Sequence, residues 1–212
     1  YDGSVAGGGV ISLTIDGVPV TAPAGATVLA AAAAAGIDVP HLCHDPALGL
    51  APTSSCRLCV VEVAGAKAPV AACSHPVAAG MVVRTDTEDL RRWRRMVIEL
   101  LLSDHPHDCL TCTRCGRCAL QDYAYRLGVK TPTLAAQTVA PQPVHDGPAI
   151  VYDRSKCILC GRCVQVCHDV QVTGAIDYFG RGLATRVSLP PGHSREQSVC
   201  TECGNCIEVC PT

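Results

Sequence analysis

The sequence predicts an α+β chain built from three successive cysteine-bearing segments, and three observations predict it. An alternating apolar run at 10–15 turns at Asp16-Gly17 into a second run, followed by an alanine-rich helical stretch. A helical period of apolar residues then occupies 86–103. Residues 150–212 carry one cysteine motif twice.

Each element has its own warrant. Val10, Ser12 and Thr14 alternate with Ile11, Leu13 and Ile15 as a strand does, and Asp16-Gly17 is a hairpin turn into Val18-Pro19-Val20. Thr27 caps a helix over 28–35 that Gly36 ends. Further strands are expected at 58–63 and 81–84. Strand, hairpin, helix and more strands fit a β-grasp sheet packed on one helix, within a first domain of residues 1–85.

A second, small helical domain is expected at 86–128. Its first helix has Leu90, Trp93, Val97, Leu100 and Leu101 on one face. Arg91, Arg92, Arg94 and Arg95 fall mostly elsewhere and read as a solvated face rather than a dock for an acidic partner. The second helix runs from near Cys118 to Leu127, stopped by Gly128. Residues 129–149, with Pro132, Pro141, Pro143 and Pro148, read as a linker. In the last domain, 150–212, each motif copy is a cysteine loop running into a short helix, with a strand at 175–179 between them.

Composition narrows the chemistry. A net charge of −2 does not draw the chain to nucleic acid or to an anionic membrane. Aromatic residues make up only 3%, so Ala, Val and Leu must fill the core and metal–ligand bonds are a natural source of extra cohesion. The longest apolar run, 28–37, is far short of the roughly 18 residues of a membrane span. Sixteen cysteines are compatible with disulfides in a secreted chain. Against that, no secretion signal opens the sequence, and the cysteines stand in CxxC steps that suit thiolate ligation, so a cytoplasmic metal protein is expected. The chain begins at Tyr1 without Met and stops one residue past its last Cys-Pro, so both ends read as cut.

Fifteen of the cysteines fall into iron–sulfur spacings. The repeat carries the strongest signal. Cys157, Cys160 and Cys163 are spaced to wrap three corners of a cubane, and so are Cys200, Cys203 and Cys206. The fourth cysteine of each run, Cys167 or Cys210, lies too far along the following helix to close its own cluster and ligates the other. The sets are therefore Cys157, Cys160, Cys163 with Cys210, and Cys200, Cys203, Cys206 with Cys167. His168 stands where a proline usually follows. Two zinc sites are the plain alternative.

Near the N-terminus, Cys43, Cys56, Cys59 and Cys73 follow the logic of a plant-type [2Fe–2S] site. Twelve residues separate the first pair where that type has four. The longer loop, with Pro46, Gly49 and Pro52, is expected to shield a cluster or meet a partner, and His41 and His44 are read as non-ligands. In the middle, His105, Cys109, Cys112 and Cys118 offer one imidazole and three thiolates to a [4Fe–4S] cluster. Neutral imidazole in place of thiolate removes a negative charge and shifts the potential. His107 competes for that role, and Cys109, Cys112 and Cys115 form a rival x2–x2 run.

In this order the motifs resemble a known family: the iron–sulfur region shared by the complex I large subunit, [FeFe]-hydrogenases and NAD-dependent formate dehydrogenases. The resemblance covers nearly all of 10–212 and includes Ser103-Asp104-His105-Pro106-His107-Asp108-Cys109, Leu120-Gln121-Asp122 and Gly180-Arg181-Gly182. It implies that His105 ligates a [4Fe–4S] cluster and leaves Cys115 without a family counterpart. It also implies one [2Fe–2S] and three [4Fe–4S] clusters, in a [2Fe–2S] ferredoxin-like domain, a small helical His/Cys3 [4Fe–4S] segment and a C-terminal bacterial-type ferredoxin domain with two [4Fe–4S] clusters. Two complete four-cysteine halves look more like the hydrogenase and formate dehydrogenase branches.

The function implied is a relay of electrons between a flavin- and NAD(P)-binding iron–sulfur subunit and a hydrogenase or formate dehydrogenase centre, in a soluble complex. No dinucleotide fingerprint, phosphate loop or nucleophile constellation is visible, so the chain is not expected to be an enzyme alone. The alternatives are the N-terminal part of a complex I-type large subunit or of a longer catalytic chain and, more remotely, a zinc-binding structural protein.

Overall fold

The computed structural model of the chain describes residues 9–131, 133–134, 143–145 and 150–212. It divides into two compact units: Tyr1–His41 with Cys56–Arg94, and Leu42–Ser55 with Arg95–Thr212.

In the first unit, β1 (Val10–Ile15) and β2 (Val18–Pro23) form an antiparallel hairpin. Asp16 and Gly17 both have positive φ, 50° and 81°, as a tight primed turn requires. Helix α1 (Val28–Ala34) starts where Thr27 Oγ1 accepts the Ala30 N–H at 3.2 Å, and Gly36 at φ 72° follows its end. Strands β3 (Val60–Val63), β4 (Val70–Ala71) and β5 (Val82–Arg84) complete a mixed sheet of order β2-β1-β5-β3-β4. Its β1–β5 pair is parallel. Strand β4 was not anticipated, because two residues are too few to show a period.

The unit's core is aliphatic: Ile15, Val28, Val61 and Val83 are fully buried, and Ala31 and Ala32 let the helix approach the sheet closely. Full burial of a Val or Ile side chain contributes about 1.5–3 kcal/mol, so a few such residues replace the missing aromatics.

Helix α2 spans Glu88–Ser103, with Glu88 and Asp89 in its first turn, where negative charge offsets the helix dipole. Its buried row is Leu90, Arg94, Ile98 and Leu102, one residue every four. This corrects the expected face: Trp93 is 50% and Leu100 53% exposed. The expectation failed because an arginine was assumed to face water. Arg94 is buried, with Nε donating to the Leu58 carbonyl at 3.2 Å and Nη2 to the Val60 carbonyl at 2.8 Å. With donors satisfied in this way, the guanidinium can occupy the buried row. Arg91 and Arg92 do face solvent, paired with Asp86 and with Glu88 and Asp89.

In the second unit, α3 (Ala119–Arg126) begins after Cys118 and is followed by Gly128 at φ 70°. Of the segment 129–149, residues 132, 135–142 and 146–149 lie outside the described residues. Within the expected linker, Pro143–His145 forms a strand, β6, that pairs antiparallel with β7 (Val151–Asp153). Helix α4 (Arg162–Gln165) continues into a wider turn at Val166–Val170, and α5 (Asn205–Glu208) is its counterpart in the second motif copy. Between them β8 (Asp177–Phe179) pairs with β9 (Arg186–Ser188). Gly180, at φ 85°, turns this hairpin, and a Cβ there would lie 2.4 Å from the Ala184 carbonyl oxygen. That close approach is what the Gly180-Arg181-Gly182 segment supplies. No helix among the described residues is long and apolar enough to cross a membrane.

Candidate metal centres

The two cysteine loops of the repeat are backbone copies. Leu159 and Glu202, each just before a motif's second cysteine, both have φ 53°, and Gly161 and Gly204 just after it have φ 83° and 77°. A left-handed non-glycine residue costs of order 1–3 kcal/mol and persists only where its surroundings enforce it. In both loops it reverses the chain sharply between the first and second cysteines of the motif.

Thiols of one motif lie near the fourth cysteine of the other. Burial, then the neighbouring thiols, raises the thiol pKa on each side of the crossing. Cys160 is pushed up to about 12 by burial and then by Cys210 and Cys157. Cys163 is also raised, by burial and then by Cys160, Cys157 and Cys210, with Cys206 of the second motif the least of its thiol neighbours. Cys206 is raised by burial and then by Cys203, Cys200 and Cys167. Cys167, Cys200, Cys203 and Cys206 line one small cavity, together with Thr173, Arg195 and Asn205 among others. Cys210 thus neighbours the first motif's three cysteines and Cys167 the second's. None of the sixteen cysteines forms a disulfide.

The surroundings of the two sites differ. Over the first, the 42–55 loop folds back. Asp45 pairs with Arg162, Gln165 donates to the Ala51 carbonyl, and Ser55 donates to the Cys160 carbonyl at 3.2 Å. The Thr53 hydroxyl lies between two carbonyls, 3.0 Å from that of Cys43 and 3.1 Å from that of Cys160. Tyr178, raised to about 12 by burial and the nearby thiols, stands over Gly161, where any Cβ would meet its hydroxyl at 2.4 Å. The second site is more open, and Cys203 is exposed.

The middle set centres on His105, which is buried. Its Nδ1 lies 2.9 Å from the Pro106 carbonyl, which can only accept, so Nδ1 carries the proton. Nε2 is then a bare lone pair, buried and without a hydrogen-bond partner. A polar atom in that position is costly unless something binds it. Burial also lowers the His105 pKa and keeps the ring neutral, the form that ligates metal. Burial raises the Cys118 pKa, with Cys109 and Cys112 adding to the rise as neighbours, whereas Cys115 is exposed. Burial pulls Lys156 down, but hydrogen bonds to Asp108 and Cys112 outweigh it and hold the ammonium above its ordinary value. These residues fit a metal group that needs one neutral imidazole. The sequence did not single out Lys156, which faces the set from the start of the ferredoxin-like segment.

In the first unit, Cys59 and Cys73 are buried in the core and Cys56 is half-buried, followed by Arg57 at φ 56°. Cys43 is buried in the second unit. Among the described residues no group of three or more His, Cys, Asp or Glu side chains is arranged for a single metal ion.

Comparison with known proteins matches all three segments. Residues 9–88 match a 2Fe-2S iron-sulfur cluster binding domain, 94–133 the NADH-ubiquinone oxidoreductase-G iron-sulfur binding region, and 147–212 the ferredoxin-like domain of NADH-quinone oxidoreductase subunit 3. The crystal structure of an NAD+-reducing [NiFe]-hydrogenase in the H2-reduced state superimposes with a TM-score of 0.80 at 34% identity, covering 89% of this chain and 77% of that one. The chain belongs to the iron–sulfur family shared by complex I and the NAD(P)-linked hydrogenases. Other members of the family include the NADP-reducing hydrogenase subunit HndD of Solidesulfovibrio fructosivorans, 38% identical over 84% of this chain. The NADPH-Fe(3+) oxidoreductase subunit alpha of Geobacter sulfurreducens is 39% identical over 87%. The G subunit of the Rickettsia prowazekii NADH-quinone oxidoreductase is 37% identical over 82%. The chain spans 31%, 22% and 25% of those relatives' lengths.

Proposed function

We propose that this chain is the iron–sulfur electron-transfer module of a cytoplasmic, multisubunit NAD(P)-linked oxidoreductase. It would pass electrons between a flavin- and NAD(P)-binding iron–sulfur partner and a catalytic centre of the hydrogenase or formate dehydrogenase type. Four ligand sets serve it. Cys43, Cys56, Cys59 and Cys73, the last three in turns flanking strands β3 and β4 of a β-grasp-like sheet, would hold a [2Fe–2S] cluster. His105, Cys109, Cys112 and Cys118 would hold one [4Fe–4S] cluster. Cys157, Cys160, Cys163 and Cys210 would hold a second, and Cys200, Cys203, Cys206 and Cys167 a third. When bound, such clusters supply reversible one-electron storage at potentials set by their surroundings.

The observation that carries this reading is the grouping of Cys210 with the first motif and Cys167 with the second. It supports two sites in one pseudo-symmetric fold, with the third set nearby in sequence. The chain's own residues orient the ligands and limit water: the 42–55 loop covers Cys160, and the Pro106 carbonyl holds His105 in one tautomer.

The test is the purified protein. About fourteen iron atoms per chain and a visible spectrum bleached by dithionite are expected for one [2Fe–2S] and three [4Fe–4S] clusters. A colourless zinc protein overturns the reading. His105→Ala should abolish or alter one [4Fe–4S] paramagnetic resonance signal and leave the [2Fe–2S] signal intact. An unchanged spectrum removes His105 from the ligand set. The names of the relatives also support a quinone-reducing assembly of the complex I type, and the subunits that copurify decide between the two.

A further inference from the structure

Arg195 is 9% exposed, in a protein where most arginines face water. It lines the cavity formed by Cys167, Cys200, Cys203 and Cys206. Its Nη1 stands 3.4 Å from Cys200 Sγ, within reach of an N–H···S hydrogen bond, while its Nε is 3.9 Å from the Glu202 carboxylate. The turn that carries it is pinned: the Ser198 hydroxyl donates to the Arg195 carbonyl at 2.7 Å and accepts the Cys200 N–H at 3.2 Å. The guanidinium is thereby delivered to the ligand loop itself.

The site related by the repeat is equipped differently. Three arginines stand near it, each hydrogen-bonded to an oxygen rather than to a cysteine sulfur: Arg154 to the Leu183 carbonyl at 3.1 Å, Arg162 to the Asp45 carboxylate and Arg114 to the Cys210 carbonyl at 2.7 Å. Its hydroxyl neighbours, Tyr152 and Tyr178, are phenols whose pKa burial raises, and they carry no charge.

Resting on the electron-transfer reading above, we propose that Arg195 sets the redox inequivalence of the two repeat sites, making the Cys200 site the better electron acceptor. The physical reason is charge. One electron leaves the Cys157 site, which is oxidised by one unit, and enters the Cys200 site, which is reduced by one unit, and no bond or proton changes hands. The reduced Cys200 site, thiolates included, carries one more negative charge. A buried guanidinium hydrogen-bonded to one of its sulfurs stabilises that added charge more than the charge of the oxidised state. Glu202 tempers the effect, because its carboxylate partly neutralises Arg195 from the other side. Arg195 is a positioning and tuning residue and holds no iron itself.

The experiment is a redox titration of the iron-loaded full chain, followed by electron paramagnetic resonance, on wild type and three variants. Arg195→Gln should shift the electron-sharing equilibrium between the two sites about tenfold away from the Cys200 site, which is ~59 mV for a one-electron couple. Arg195→Lys, which keeps the charge but not the planar fork, should shift it less in the same direction. Glu202→Gln should move the same cluster's potential the opposite way, and the other potentials should stay put in all three. An unchanged potential in Arg195→Gln at full iron content overturns the proposal. If that variant fails to hold the cluster, Glu202→Gln decides: a raised potential supports the proposal, and an unmoved one overturns it. Wild-type protein without any [4Fe–4S] signal would instead defeat the underlying functional reading.

Discussion

The two halves of the C-terminal repeat share a backbone and differ in almost everything around it. Both loops hold a residue at φ 53° and a left-handed glycine beside their second cysteine. Yet Cys160 is buried under the 42–55 loop, while Cys203 is exposed and its site holds Arg195. Spacing dictates how the loop presents its cysteines. Residues outside the motif dictate what the site feels, and potential follows from what the site feels.

The largest expected effect tests the crossing. Cys210→Ala should strip the cluster held by the first motif, and Cys167→Ala that held by the second, each removing about four irons of fourteen. Iron analysis with paramagnetic resonance reads this directly. If Cys167→Ala instead empties the Cys157 site, the two halves are not crossed.

Next comes a matched pair of glycines. Gly161→Ala forces a side chain onto φ 83° and into the Tyr178 hydroxyl, whereas a Cβ at Gly204 meets nothing within 4 Å. The first should cost about 2–3 kcal/mol and the second about 1 kcal/mol in denaturant unfolding. Equal costs would mean that Tyr178 yields and the first half is no tighter than the second.

The third effect appears when iron is removed. In the folded apo-protein Cys160 titrates at about 12, above its ordinary value of 9.0, because burial holds the proton on. The folded state therefore binds that proton more tightly than the unfolded state. Its contribution is fully present below about pH 9 and is lost as pH rises towards about 12. Urea midpoints of apo-protein should fall across that window, and Cys160→Ala should flatten the fall. A midpoint independent of pH there contradicts the buried state of the first half.

The smallest effect is none. Cys115→Ser should leave iron content and every signal unchanged, since Cys115 is exposed and outside all four sets. A lost cluster would promote it to ligand.

Local chemistry was readable in the sequence where it acts over a few residues. The Asp16-Gly17 turn, the Thr27 cap and the helix after Cys118 stand as expected, because turn and cap preferences are local. Arg94 was misplaced because its burial depends on the carbonyls of Leu58 and Val60, more than thirty residues away in sequence. Arg195 was passed over for the same kind of reason: nothing in its neighbours announces that it will be enclosed beside a sulfur. The orphaned Nε2 of His105 was half legible. The spacing offered the imidazole, but only the Pro106 contact shows which nitrogen is bare.

The Thr53 hydroxyl between the Cys43 and Cys160 carbonyls bears on how this sequence tolerates change. Loops are the usual place for insertions and deletions, because they carry few obligations. The stretch between Cys43 and Cys56 does carry them, in Asp45, Ala51, Thr53 and Ser55. Trimming it to the four-residue gap of plant-type ferredoxins would remove those residues and uncover a cysteine over a hundred positions downstream. The length of this loop is a requirement of the second unit, and any graft between relatives should move the loop and the ferredoxin-like segment together.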